Sequence, residues 1–195
     1  MLERACVLER TQGKGLRLRW RTSWSWGLNG SLSHSLPSHA LHGHTRPPLQ
    51  DDTDLWLLKG DRVVGFTGNN VNTLVAMLAA TSIGALWSGV STDTGVHAVL
   101  ERLRQIEPKV LFADNASVYN GKVHPTHSKV QEITADLASL EAVVVFEAVR
   151  GQAFDLQAIK PSNGKVLTYA DFVSASKSSS LEFVYLPPDH PVYIL

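Results

Sequence analysis

The sequence has one cysteine, two methionines and no excess of either charge. A lone Cys6 excludes a disulfide scaffold and a cysteine-rich metal fold, and it suits a reducing compartment, so a cytoplasmic location is expected. Lys+Arg and Asp+Glu are both 18, and a formal net charge of zero argues against a dedicated nucleic-acid binder. A secretory leader would need an apolar h-region, which is missing. Residues 63–92 carry no charge, yet Gly65, Gly68, Asn69, Asn70, Gly84 and Ser88 interrupt them. Strand–helix–strand inside a core explains those breaks, and a membrane span does not. What is present is 44% hydrophobic residues in 195, enough for a packed core of one domain or slightly more.

The neutral average hides two unlike regions. Residues 1–50 hold 7 basic and 2 acidic side chains, whereas 51–195 hold 11 and 16. In the first region Leu16, Leu18 and Trp20 alternate with Arg17, Arg19 and Arg21, which predicts one short strand. Beyond it no period persists, and residues 1–58 are expected to be irregular or disordered. His34, His39, His42 and His44 fall within eleven residues but lack cysteine or carboxylate partners. That pattern suits adventitious metal affinity better than an ordered site, so no metal ligand is assigned. The arginines would suit a transit peptide, but Glu3 and Glu9 interrupt it.

From Lys59 onward the pattern is regular. Arg62–Phe66, Leu86–Val90, Val110–Ala113 and Ala142–Phe146 are short apolar runs without polar alternation, as in strands buried on both faces. Between them lie predicted helices at about 71–83, 96–106 and 128–140. Asn69 and Asn70 can cap the first, and Gly84 stops it. The second has Val96, Val99, Leu100, Leu103 and Ile106 on one face, and Pro108 ends it. Residues 114–125 read as a polar loop, 169–175 as helical, and Val192–Leu195 as a last apolar run. The fold class is therefore α/β, a mostly parallel sheet flanked by helices, with no internal repeat.

Complete catalytic groupings are lacking. Gly65-Phe66-Thr67-Gly68 stands between a strand and its helix, where dinucleotide folds hold a pyrophosphate, but G-x-G-x-x-G spacing is absent and a tight turn is expected. No G-x-S-x-G elbow surrounds Ser88 or Ser91. His97 pairs with Glu101 at i,i+4, and His190 reads as a turn residue. In Tyr119-Asn120-Gly121-Lys122, Asn-Gly permits positive φ with outward amides beside a lysine. Such a loop could hold a phosphate or be a plain surface turn.

Several runs are similar to the N-terminal domain of the acetoacetyl-CoA synthetases, members of the acyl-adenylate-forming superfamily. They are Gly60-Asp61-Arg62-Val63, the stretch from Ala76 to Ser88, Asp93-Thr94-Gly95, Val99 to Phe112, Tyr119 to Lys122, and Asp189 to Leu195. The resemblance covers about 59–195, an incomplete N-terminal subdomain, and not 1–58. It implies a two-step ligase: ATP with Mg²⁺ and acetoacetate give an acyl adenylate and pyrophosphate, and CoA then displaces AMP. It also implies that Asn120, Gly121 and Lys122 occupy a loop that contacts CoA phosphates in related enzymes. In the family the strand matching Val192–Leu195 runs into a Tyr-Ser-Ser-Gly-Thr-Thr-Gly phosphate loop, which this sequence does not reach. The expectation is a ligase fragment from a truncated or misassembled gene, inactive alone and without catalytic residues. A non-catalytic module binding CoA or a paralogue is the alternative, and neither membrane nor nucleic acid is expected as a partner.

Overall fold

The computed structural model describes residues 5–10, 16–21, 57–174 and 184–195. Near the amino end, β1 (Ala5–Arg10) pairs antiparallel with β2 (Leu16–Arg21), so the strand foreseen over 16–21 is present with a partner. The histidine tract lies outside the described residues.

The main body is a parallel sheet. Its strands are β3 (Arg62–Phe66), β4 (Leu86–Val90), β5 (Val110–Asp114), β8 (Ala142–Phe146), β9 (Lys165–Thr168) and β10 (Tyr193–Ile194), with β6 and β7 set apart as a hairpin. The order across the sheet is β10-β4-β3-β5-β8-β9, and every neighbouring pair is parallel. The connections are α1 (Val71–Ser82) after β3, α2 (Val96–Ile106) after β4 and α3 (His127–Asp136) before β8; α4 (Tyr169–Ser174) follows β9.

Because successive strand residues point to opposite faces, each apolar run feeds two cores. Val63, Phe112 and Val144 join Ala76, Ala80, Trp87, Phe146, Tyr169 and Phe172 on the face covered by α1 and α4. Val64, Leu111 and Val143 join Val99, Leu103, Val130 and Ile133 on the face covered by α2 and α3. The first core is aromatic: Phe112 stacks on Phe146 at 5.4 Å and meets Phe172 edge-on at 5.9 Å. At the amino ends of the strands, Lys109 pairs with Asp61 at 2.9 Å, and Arg62 donates to the Ile106 and Glu107 carbonyls that end α2.

Three expectations need adjustment. The polar loop over 114–125 contains a hairpin, β6 (Ala116–Tyr119) with β7 (Lys122–Pro125), because Asn120-Gly121 forms a two-residue turn that sets Val118 opposite Val123. The third helix stops at Asp136 although Leu137 and Leu140 continue the apolar period; both are buried from the turn that follows. Strand β9 was not foreseen, since Lys165–Thr168 is only four residues long and sits at the sheet edge. The charge-free stretch 63–92 is strand, helix and strand, and among the described residues no helix is long and apolar enough to cross a membrane.

Candidate functional site at the carboxyl ends of the strands

Chain direction reverses between β3 and β5. From β3 the chain moves outward to β4, and from β5 it moves the other way to β8. Crevices at such points, beyond the carboxyl ends of the strands, are where open α/β sheets bind ligands. Two features frame this end of the sheet: a cleft beside α1, and the β6–β7 hairpin.

The cleft holds about 730 Å³ and runs between the β3–α1 turn, the first turns of α1, and the ends of β4 and β10. Thr67, Asn69, Ser91 and Tyr193 supply its polar edge, with Leu74, Met77 and Trp87 as the apolar wall. Trp87 is a core residue, and its ring lies across β3. A Cβ on Gly65 would come within 2.6 Å of that ring, so only glycine fits there. Beyond β4, the Ser91 hydroxyl holds the exposed Asp93 carboxyl below its usual range.

The turn itself is already filled. Asp114, the last residue of β5, is 2% exposed. Its carboxylate accepts the Gly68 N–H at 2.7 Å and the Asn70 side-chain amide at 3.2 Å. Asn70 in turn caps α1 by accepting from the Thr73 N–H at 2.9 Å. Burial raises the Asp114 pKa above the ordinary carboxyl value, against the opposing pull of Gly68 and Asn70. The Gly65–Gly68 turn is therefore a tight βα turn, as expected, and it does not fit a triphosphate: a second anion would meet the Asp114 carboxylate. Among the described residues no three His, Cys, Asp or Glu side chains gather as a metal site.

Asn120, Gly121 and Lys122 lie at the hairpin tip, and none of them lines the cleft. Asn120 and Gly121 have φ of +48° and +71°, the paired left-handed geometry of a type I′ turn. All three are exposed, and Lys122 forms no ion pair among the described residues. The positive φ inferred from Asn-Gly is thus present, and hairpin closure alone requires it. His190 bonds the Gly84 carbonyl at 2.9 Å inside a turn, and His97 stands 3.8 Å from Glu101, so both keep the plain roles expected of them. Asp114 was missed by residue reading. Its signal was a carboxylate directly after the wholly buried run Val110–Ala113.

The topology defines a doubly wound α/β domain, an open parallel sheet covered by helices on both faces. The AMP-binding enzyme family matches residues 54–195, and the chain belongs to that family. A malonamoyl-CoA synthetase of Penicillium aethiopicum is 52% identical over 136 residues, which is 69% of this chain and 19% of that protein. The acetoacetyl-CoA synthetase of Danio rerio is 45% identical over 141 residues, 70% of this chain and 20% of that protein. Among solved structures, the acetoacetyl-CoA synthetase from Streptomyces lividans superposes with a TM-score of 0.60 at 31% identity, covering 71% of this chain and 20% of that one. The chain thus spans about a fifth of the length of the relatives it matches.

Proposed function

We propose that this chain is a piece of an acid–thiol ligase that joins acetoacetate to CoA, with ATP converted to AMP and pyrophosphate. The observation that carries the reading is the 45% identity to an acetoacetyl-CoA synthetase across 70% of the chain. A carboxylate is a poor acyl donor until one of its oxygens becomes part of a good leaving group. Adenylation supplies that group, and the CoA thiol then takes the acyl carbon while AMP departs with the bonding pair. Malonamate, implied by the name of the 52% identical relative, also carries a carbonyl on its third carbon, so a short 3-carbonyl acid is the substrate class.

This chain contributes binding. The hairpin tip presents the amides of Asn120 and Gly121 together with the Lys122 ammonium, and these contact a CoA phosphate. In this reading the adenylation step is assigned to no side chain of this chain. The 195-residue chain alone is expected to show no ATP–pyrophosphate exchange with acetoacetate.

Calorimetric titration with CoA tests the binding role. Saturable binding is expected, weakened about five- to tenfold by Lys122→Ala, which corresponds to about 1 kcal/mol. An absence of saturation at millimolar CoA, or an unchanged affinity in the variant, would overturn it. The other reading, a non-catalytic module that binds CoA or a paralogue, predicts either saturable CoA binding without any ligase activity or co-sedimentation with a full-length acetoacetyl-CoA synthetase.

A further inference from the structure

The carboxyl end of the sheet contains one residue whose contacts exceed what a strand end needs. The Asp114 side chain binds the β3–α1 turn through Gly68 and Asn70. Its main-chain carbonyl accepts the Thr126 hydroxyl, and the Asn115 carbonyl accepts the Thr126 N–H at 3.2 Å, which together close the root of the β6–β7 hairpin. The Asn115 side chain then donates to the Val149 and Gln152 carbonyls at 2.9 and 3.0 Å and accepts the Val149 N–H at 3.0 Å. Two adjacent residues therefore gather three loops. Of these contacts, only those to Gly68 and Asn70 join the cleft wall to the rest.

The donors around the Asp114 carboxylate are the kind that bind phosphate elsewhere. A backbone N–H from the turn after the first strand and an amide from the helix cap converge on one acidic group at the amino end of α1. A buried polar group without partners costs about 1–3 kcal/mol, so removing the acceptor would release the turn.

We propose that Asp114 is a positioning residue: an internal carboxylate that stands where nucleotide-binding α/β domains hold a phosphate, and so fixes the cleft turn to the root of the hairpin. The β3–α1 turn is then closed to phosphate by construction, and beyond the β3–β5 pairing the side chain adds a direct tie between that turn and the residue from which the hairpin leaves the sheet. The proposal stands apart from CoA binding, because it concerns how the two loops are held and not what either one binds.

The test is Asp114→Ala in the 195-residue chain, followed by amide hydrogen exchange in sodium formate and in sodium chloride at equal ionic strength. In chloride, exchange is expected to rise several-fold over wild type both in the peptide covering 67–70 and in the peptide covering 116–126. Formate, which can refill the carboxylate position, is expected to restore protection in both, while wild type responds equally to the two salts. Asp114→Asn, which keeps one acceptor oxygen, is expected to fall between wild type and alanine. Faster exchange confined to one segment overturns the coupling, and equal effects of formate and chloride overturn the internal-carboxylate role. Should the alanine variant not fold in chloride, folding in formate is the expected result. Failure in both salts, with wild-type exchange in Asp114→Asn, overturns the proposal.

Discussion

Helices α1 and α2 flank the same sheet from opposite sides and meet water in opposite ways. Helix α2 buries Val99, Leu100 and Leu103 and turns charge outward, with His97 beside Glu101 and Arg104 bonded to Asp136 at 2.6 Å. Helix α1 contains no charged residue. It buries Ala76, Ala79 and Ala80 against the aromatic core, yet leaves Val71, Leu74 and Leu78 exposed at 63, 52 and 48%. The small alanines bring α1 close to the sheet with Val75 and Met77 partly buried beside them, and Val71, Leu74 and Leu78 face away. A helix apolar on both sides is ordinarily covered on both sides, and contiguous apolar surface on a monomer marks an interaction face or an aggregation hazard. Among the described residues the α2 side is a charged surface, whereas the α1 side keeps exposed apolar side chains although β1 also lies against that helix.

The sharpest way to break that comparison is to truncate one leucine on each helix. Leu103→Ala removes a fully buried side chain from the core under α2 and is expected to cost about 2–5 kcal/mol. Leu74→Ala removes one already half in water and is expected to cost under about 0.5 kcal/mol. Urea unfolding followed by circular dichroism measures both. Similar losses at the two positions would mean that Leu74 is packed, and the contrast between the two sides would collapse.

The sequence pattern exposed α2 and its neighbours well because period and burial agree there. Val96, Val99, Leu103 and Ile106 are spaced as one face, and Val110–Ala113 and Ala142–Phe146 have no polar alternation because both sides of the sheet are covered. Reading failed where local and tertiary signals compete. The segment over 114–125 looked like loop because polar and turn-forming residues interrupt every apolar run in it, while Asn120-Gly121 itself is a hairpin signal. Strand β9 has only Val166, Leu167 and Thr168 after its lysine, and pairing with β8 decides its state. At the candidate site, the lysine at the hairpin tip was visible in the residues. The Asp114 contact to Gly68 was not, because it joins positions 46 residues apart that only the sheet order makes neighbours.

The amino ends of the two helices sharpen the contrast at smaller scale. Helix α2 begins at Gly95 with no side-chain cap, whereas α1 has the Asn70 cap and the buried Asp114 carboxylate behind it. Burial holds the Asp114 pKa above its unfolded value, so the folded state binds this proton more tightly than the unfolded chain does. Its contribution to stability is complete below the unfolded value near 4, falls as pH rises through the raised folded value, and is flat beyond. Asp114→Asn removes that dependence. The difference in unfolding free energy between variant and wild type is therefore expected to shift toward the variant from pH 4 upward and then level off. A constant difference between pH 4 and pH 8, measured by urea unfolding, would show that the carboxyl is not held above its ordinary range.

The smallest expected effect on stability falls on the open face of α1. Leu74→Glu and Leu78→Lys place opposite charges four residues apart, with the acid toward the amino end, the favourable order on a helix. Both side chains are about half exposed, so the double variant should unfold within about 0.5 kcal/mol of wild type. Its solution behaviour should change far more. Wild type is expected to bind the dye ANS and to self-associate at micromolar concentration through this face, and the variant to do neither. The same pair of charges placed on α2, at the exposed His97 and Glu101 positions, should leave dye binding unchanged, since that side is already polar. Equal dye binding by wild type and the α1 variant would locate the exposed apolar surface elsewhere and would make the two sides of the sheet alike.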